Sequence, residues 1–223
     1  MMKDTYMVIH GSKIVPDIQC ETKVTLNGAQ LAEVCLTDIM GSELKIVDAA
    51  RMCRGTGANN MGETEKKTLK FLLDHEHMSV FEHAALTFKV TCPLPIRTHL
   101  FRYRTASPTE WSHRGVDSDP QFYIPDLPED VKREVEALVS DSVDIYRKLL
   151  SIGKPAGVAR MFLLQAMMTK FEWTIDLRNF IHVWQERTAN GVQEETKAVV
   201  KAMAHLASNY FPNIAEYFKW RLT

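Results

Sequence analysis

Apolar residues recur along this chain with two different periods, and each change of period marks a new element. Leu86, Phe88 and Val90 alternate with Thr87 and Lys89, which predicts a half-buried strand. Phe171, Trp173 and Ile175 repeat that alternation, and residues 29–37 read as a third strand. Elsewhere a helical period takes over. Ser42 can cap a helix running to about residue 53, with Ile46, Val47 and Ala50 on its inner face. A second helix is predicted over 63–75, burying Leu69, Leu72 and Leu73. Pro95 opens a short helix through residue 104. Val131, Val135, Leu138, Ser142, Ile145 and Leu149 follow one stripe of a long helix over 128–152. Further helices are predicted from 155 to about 168, over 176–189 and over 192–210. The first 30 residues read as an extended lead-in, and 105–128 as a long loop with turn residues and little periodicity. The expected class is α+β: a small, mainly antiparallel sheet with helices packed around it, in one domain spanning residues 1–223.

Composition narrows the partners. A net charge of −1 over 223 residues gives no general pull toward nucleic acid or anionic membrane, so phosphate must be held by local clusters. No apolar run approaches the roughly 20 residues of a membrane span, and the first residues lack a secretory apolar segment. The four cysteines, Cys20, Cys35, Cys53 and Cys92, are too scattered for a zinc site or a disulfide framework. A reducing, cytoplasmic setting is expected. Cys35 and Cys92 fall at strand positions and are expected in the core, and Met161, Met167 and Met168 are expected to fill packing gaps. His75, His77 and His83 lie near Glu76 and Glu82, but no HExxH spacing occurs, so no metal site is expected.

The stretch FRYRTASPTEWSHRG, residues 101–115, concentrates candidate chemistry. Arg102 and Arg104 are two positions apart at a helix end and so point in different directions, each able to take a separate phosphate. The turn Ser112–His113–Arg114 offers a hydroxyl, backbone N–H groups and a guanidinium, a set suited to a phosphate monoester. The competing reading is a patch of solvated charges at a helix–loop junction.

The order Arg102–x–Arg104, seven residues, then Ser112 resembles the signature of the flavin-dependent thymidylate synthases. Upstream HEHMSVFEHAALTFKV, then QFYIP, VARMFLL and FEWTIDLRNFIHVWQERTANGVQEE resemble that family's other blocks, in the same order over residues 38–195. The resemblance implies that family's fold, an FAD cofactor, and methylation of dUMP at C5 with methylenetetrahydrofolate and NADPH as co-substrates. It also implies a homotetramer with active sites shared between subunits. By position, FAD would meet Ser79, Glu82, Arg102, Tyr103, Arg104, Thr105, Arg178 and His182. The pyrimidine nucleotide would meet His99, Glu110, Ser112, His113, Arg114, Arg160 and Arg187. His77 corresponds to a histidine near flavin and folate, and Arg187 would face the pyrimidine and act in catalysis. Negative charge pushed onto the ring's C4 oxygen when C5 is activated would be stabilised by such a fixed guanidinium.

Several positions depart from the family pattern. Tyr103 replaces the signature's central His, His99 a Gln, Thr109 an Asn, His113 a Gly, Cys53 a Ser, Asp176 an Asn and Gly191 a His. A changed partner at the base can alter specificity, so UMP or dCMP as substrate, or hydroxymethylation as outcome, stands as the alternative. A non-catalytic nucleotide- or RNA-binding module built on residues 97–114 is disfavoured by the near-zero net charge and the lack of interleaved aromatics.

Overall fold

The computed structural model describes residues 8–10, 13–15, 21–112 and 120–220. A two-stranded hairpin, β1 (Val8–His10) and β2 (Lys13–Val15), precedes a five-stranded antiparallel sheet. The sheet comprises β3 (Glu21–Leu26), β4 (Ala29–Met40), β5 (Ala85–Pro93), β6 (Ser107–Glu110) and β7 (Met168–Asp176), in the order β3-β4-β5-β7-β6. The helices are α1 (Glu43–Met52), α2 (Glu63–Asp74), α3 (Leu94–Leu100), α4 (Glu129–Ser151), α5 (Ala156–Ala159), α6 (Leu177–Thr188), α7 (Glu194–Ala207) and α8 (Pro212–Phe218). Two 3₁₀ turns, Met78–His83 and Arg160–Phe162, lie between them. This is the α+β class that the periodicity predicts.

Alternation in β5 and β7 decides the layering. Leu86, Phe88, Val90, Phe171, Trp173 and Ile175 are buried together with Phe180 and Ile181 of α6 and Val199, Val200 and Met203 of α7. The opposite face is polar: Thr87 Oγ1 meets Thr174 Oγ1 at 3.0 Å, and Thr37 Oγ1 donates to the Thr87 carbonyl at 3.1 Å. A sheet with one apolar face needs helices on that face only.

The N-terminus of α8 is closed by a residue far away in sequence. Buried Glu43 accepts from Asn213 N at 2.7 Å, Asn213 Nδ2 at 2.6 Å and Ile214 N at 2.9 Å. Burial pushes its pKa up, against the effect of these donors. At the turn from β4 into α1, Gly41 has φ +79°, and a Cβ there would lie 2.4 Å from the His83 carbonyl oxygen. Only glycine fits that approach, which sets the 3₁₀ turn carrying Ser79 and Glu82 against the sheet's end.

Several expectations need correction. The lead-in contains a true strand: β3 pairs along β4, which itself runs to Met40 rather than residue 37. The long loop contains β6, which pairs Ser107–Glu110 with β7. These four residues are exposed or half-buried, so they carry no apolar alternation to reveal the pairing. The helix at Pro155 ends within seven residues, in α5 and the 3₁₀ turn, because Met168 is drawn into the ladder opposite Pro93. The helix at Pro95 stops at Leu100, so Arg102 and Arg104 lie in the turn beyond it. A further helix, α8, opened by Pro212, follows the one expected over 192–210. Met161 is 76% exposed and fills no gap, whereas Met167 is buried. Cys92 is buried and Cys35 only partly so. Among the described residues, no helix is long and apolar enough to cross a membrane.

Candidate active site

Two clusters gather residues that the sequence singled out. The first joins the 3₁₀ turn to α6: Arg178 Nη1 donates to Glu82 Oε1 at 2.5 Å. Both side chains are about half exposed, so the pair organises the surface more than it stabilises the fold. Asp176, which stands where the family has Asn, caps α6: its Oδ1 accepts from Asn179 N at 2.9 Å. Arg178 and His182 then emerge one turn apart, both exposed on one face of α6.

The second cluster surrounds Tyr103 in the turn after α3. The Arg187 guanidinium lies over its ring, 5.2 Å from the centroid, and also bonds its phenol. The His182 ring meets Tyr103 edge-on at 5.8 Å. Burial raises the Tyr103 pKa more strongly than Arg187 lowers it, so the phenol stays protonated at neutral pH. Arg187 Nε is buried and has no protein acceptor among the described residues. A buried donor left open in this way costs free energy unless something else accepts from it.

His99, in the last turn of α3, faces the same cluster. Its Nδ1 lies 2.9 Å from the Thr196 hydroxyl of α7. Burial first, then the charges of Arg187 and Arg102, push its pKa below the ordinary value of 6.5. His99 is therefore neutral at pH 7.

Glu110, at the end of β6, is held by a network of its own. Arg97 grips it with two bonds, Nε to Oε1 at 3.0 Å and Nη2 to Oε2, while Thr169 Oγ1 donates to Oε1 at 2.8 Å. Arg97 also covers the Phe101 ring at 4.6 Å. In the sequence Arg97 stands out only as part of the charge cluster of residues 97–114, and nothing there marks Thr169 or Thr196. The one available signal was that a half-buried carboxylate at the strand's end needs a cation.

Other expected residues lie at the surface of the single chain. Ser79, Arg104, Thr105, Ser112 and Arg160 are exposed. His77 is exposed too, stacked on Phe71 with centroids 5.8 Å apart and planes 19° apart. His113 and Arg114 lie outside the described residues. Two surface grooves flank α2, one lined by Arg51, Arg54, Thr56 and Phe71, the other by Lys66, Lys70, Asn213 and Tyr217. Neither contains an expected site residue.

Residues 35–213 match the family model described as "Thymidylate synthase complementing protein". The flavin-dependent thymidylate synthase of Thermotoga neapolitana is 32% identical over 192 residues, covering 82% of this chain and 88% of that protein. The crystal structure of a UMP/dUMP methylase, PolB from Streptomyces cacaoi, bound with 5-Br dUMP has a TM-score of 0.78 at 26% identity, covering 85% of this chain and 95% of that one. The same protein bound with 5-Br UMP gives a TM-score of 0.72 at 24% identity, covering 86% and 96%. The chain therefore belongs to the thymidylate synthase complementing protein family, the flavin-dependent thymidylate synthases.

Proposed function

We propose that this single-domain protein methylates C5 of dUMP to give dTMP, with FAD as cofactor and methylenetetrahydrofolate and NADPH as co-substrates. The observation that carries this reading is the cluster of Arg187, Tyr103, His182 and His99, with the buried Arg187 Nε left without a protein acceptor. An orphaned guanidinium donor over an aromatic ring suits a flat heterocycle with carbonyl acceptors, as both pyrimidines and isoalloxazines are. FAD, when bound, supplies hydride chemistry that makes a covalent protein nucleophile unnecessary. Buried Cys92, whose pKa burial drives far up, is unsuited to that nucleophilic role.

In this reading Arg187 donates to the pyrimidine C4 oxygen and stabilises the charge that gathers there. Tyr103 holds the guanidinium in place by contact with its face and by its phenol oxygen. Arg102, Arg104, Thr105, Arg178, His182, Ser79 and Glu82 serve the flavin, with His77 beside it. Glu110, Ser112, His113, Arg114 and Arg160 serve the nucleotide's sugar and phosphate. The exposure of so many of these groups fits sites completed by other subunits of a homotetramer. So does the apolar stripe of α4, where Leu138, Ile145 and nearby Ile152 are 55%, 48% and 63% exposed.

UMP is the second substrate to consider, because the PolB structures carry analogues of both UMP and dUMP. The purified protein is expected to be yellow, and dUMP to perturb its flavin spectrum. Mass spectrometry of products from dUMP, UMP and dCMP, each with methylenetetrahydrofolate and NADPH, assigns the substrate. A colourless protein that fails to bind added FAD refutes the proposal.

A further inference from the structure

We propose that His99 and Thr196 form a base-reading pair: the Thr196 hydroxyl fixes the imidazole so that its outer nitrogen accepts from uracil N3–H while Arg187 donates to the adjacent carbonyl. This inference rests on the nucleotide site proposed above, and it narrows that site's substrates to uracil nucleotides.

Thr196 is fully buried in the first turn of α7, and its hydroxyl is 2.9 Å from His99 Nδ1 at the end of α3. A hydroxyl in the core must have a partner, and this bond joins two elements 97 residues apart. Using Nδ1 in this way leaves Nε2 as the ring's remaining hydrogen-bonding position. The ring is neutral, since burial and the neighbouring Arg187 and Arg102 all disfavour a second proton. Threonine can donate or accept, so it does not choose the tautomer. The two guanidiniums do: a lone pair on the outer nitrogen is favoured beside positive charge, and an N–H there is not. Nδ1–H then donates to Thr196 Oγ1, and Nε2 is an acceptor.

Arg187 keeps a buried Nε without a protein acceptor among the described residues, and its charge bears on His99, so in this reading the base meets a donor beside an acceptor. Uracil offers the complement, a carbonyl beside N3–H. Cytosine offers an amino group beside a bare N3, which opposes donor to donor and lone pair to lone pair. A site built to pair with one pattern rejects the other because its own polar groups are left unsatisfied. An imidazole anchored through Nδ1 cannot turn to suit cytosine, whereas an unanchored side chain can.

The test compares binding of UMP, dUMP, CMP and dCMP by calorimetry to the flavin-loaded full-length protein and to its T196V, T196S and H99Q variants. The wild type is expected to favour uracil nucleotides, T196V and H99Q to reduce that preference roughly tenfold, and T196S to restore it. For turnover of dUMP, the T196V loss is expected in KM more than in kcat. Nitrogen-15 shifts of His99 are expected to report the Nδ1–H tautomer in the wild type and a tautomer mixture in T196V. A preference that survives unchanged in both T196V and H99Q, or a wild type that favours cytosine nucleotides, overturns the pair and leaves the flavin site standing. A wild type that binds no pyrimidine nucleotide overturns the pair together with the proposed function.

Discussion

Arg97 offers a measure of how tightly the candidate site is built. Its guanidinium holds Glu110 with two bonds, at a place where the side chains are 30% and 22% exposed. Fully exposed ion pairs contribute about 0–1 kcal/mol, and hydrogen bonds to charged groups about 1.5–3 kcal/mol. At this intermediate burial, a double-mutant cycle of Arg97→Ala and Glu110→Gln should show coupling of about 1–2 kcal/mol, read from urea melts. Arg97→Ala also loses the contact over Phe101, about 0.5–1 kcal/mol, so the total is about 1.5–3 kcal/mol. For a chain of this length that amounts to a fall in Tm of roughly 3–12 °C. The functional consequence is separate. Once Arg97 is gone, Glu110 keeps Thr169 as its anchor among the described residues and is freer to turn, so nucleotide affinity should fall along with stability. Coupling within about 0.5 kcal/mol of zero would show the two side chains to be independent. Loss of stability with nucleotide affinity intact would reduce the network to a strut.

Three further outcomes are expected. Gly41→Ala should lower stability by roughly 2 kcal/mol or more in thermal melts, because it combines positive φ with a Cβ lying 2.4 Å from the His83 carbonyl oxygen. Nucleotide affinity should be flat above pH 6.5 and fall as the pH drops below it, because a His99 of lowered pKa gives up its neutral form only there. The sign for folding is the same: the unfolded ring takes its proton first, so stability declines in that window and not above it. His99→Gln should flatten both profiles, and affinity that instead rises on acidification contradicts the assignment. Among Cys35, Cys53 and Cys92, a thiol reagent followed by peptide mapping should mark Cys53 first and Cys92 only after unfolding, since Cys53 is exposed and Cys92 is buried with its pKa driven up.

What the sequence reveals depends on whether an element buries a stripe of its own side chains. β5 and β7 alternate strictly, and α1 and α2 carry their inner faces at helical spacing, so all four are legible. β6 is not, because it is held by main-chain pairing at the sheet's edge and buries almost nothing. After Pro155 the helix-favouring run of Ala, Met and Leu misleads, since strand pairing of Met168 with Pro93 overrides local preference. The candidate site divides in the same way. The basic residues around Tyr103 and the α6 face stand out through their local spacing. The bonds of Arg97 to Glu110, Thr169 to Glu110 and Thr196 to His99 do not, because their partners lie 13, 59 and 97 positions apart and no periodicity records them.

Glu43 and Asn213, 170 positions apart, impose an order on the folding of the nascent chain. During synthesis the carboxylate emerges first, and its three donors only some 170 residues later. Until then the core around α1 must either stay open to water or enclose an unpaired charge, and β5 likewise waits for β7. Strands β3 and β4 can pair at once, but the edge β4 later offers to β5 is uncovered in the meantime. The protein should therefore depend on α8 to close its core, and variants that lack α8 should be held by chaperones rather than fold to a slightly shortened enzyme.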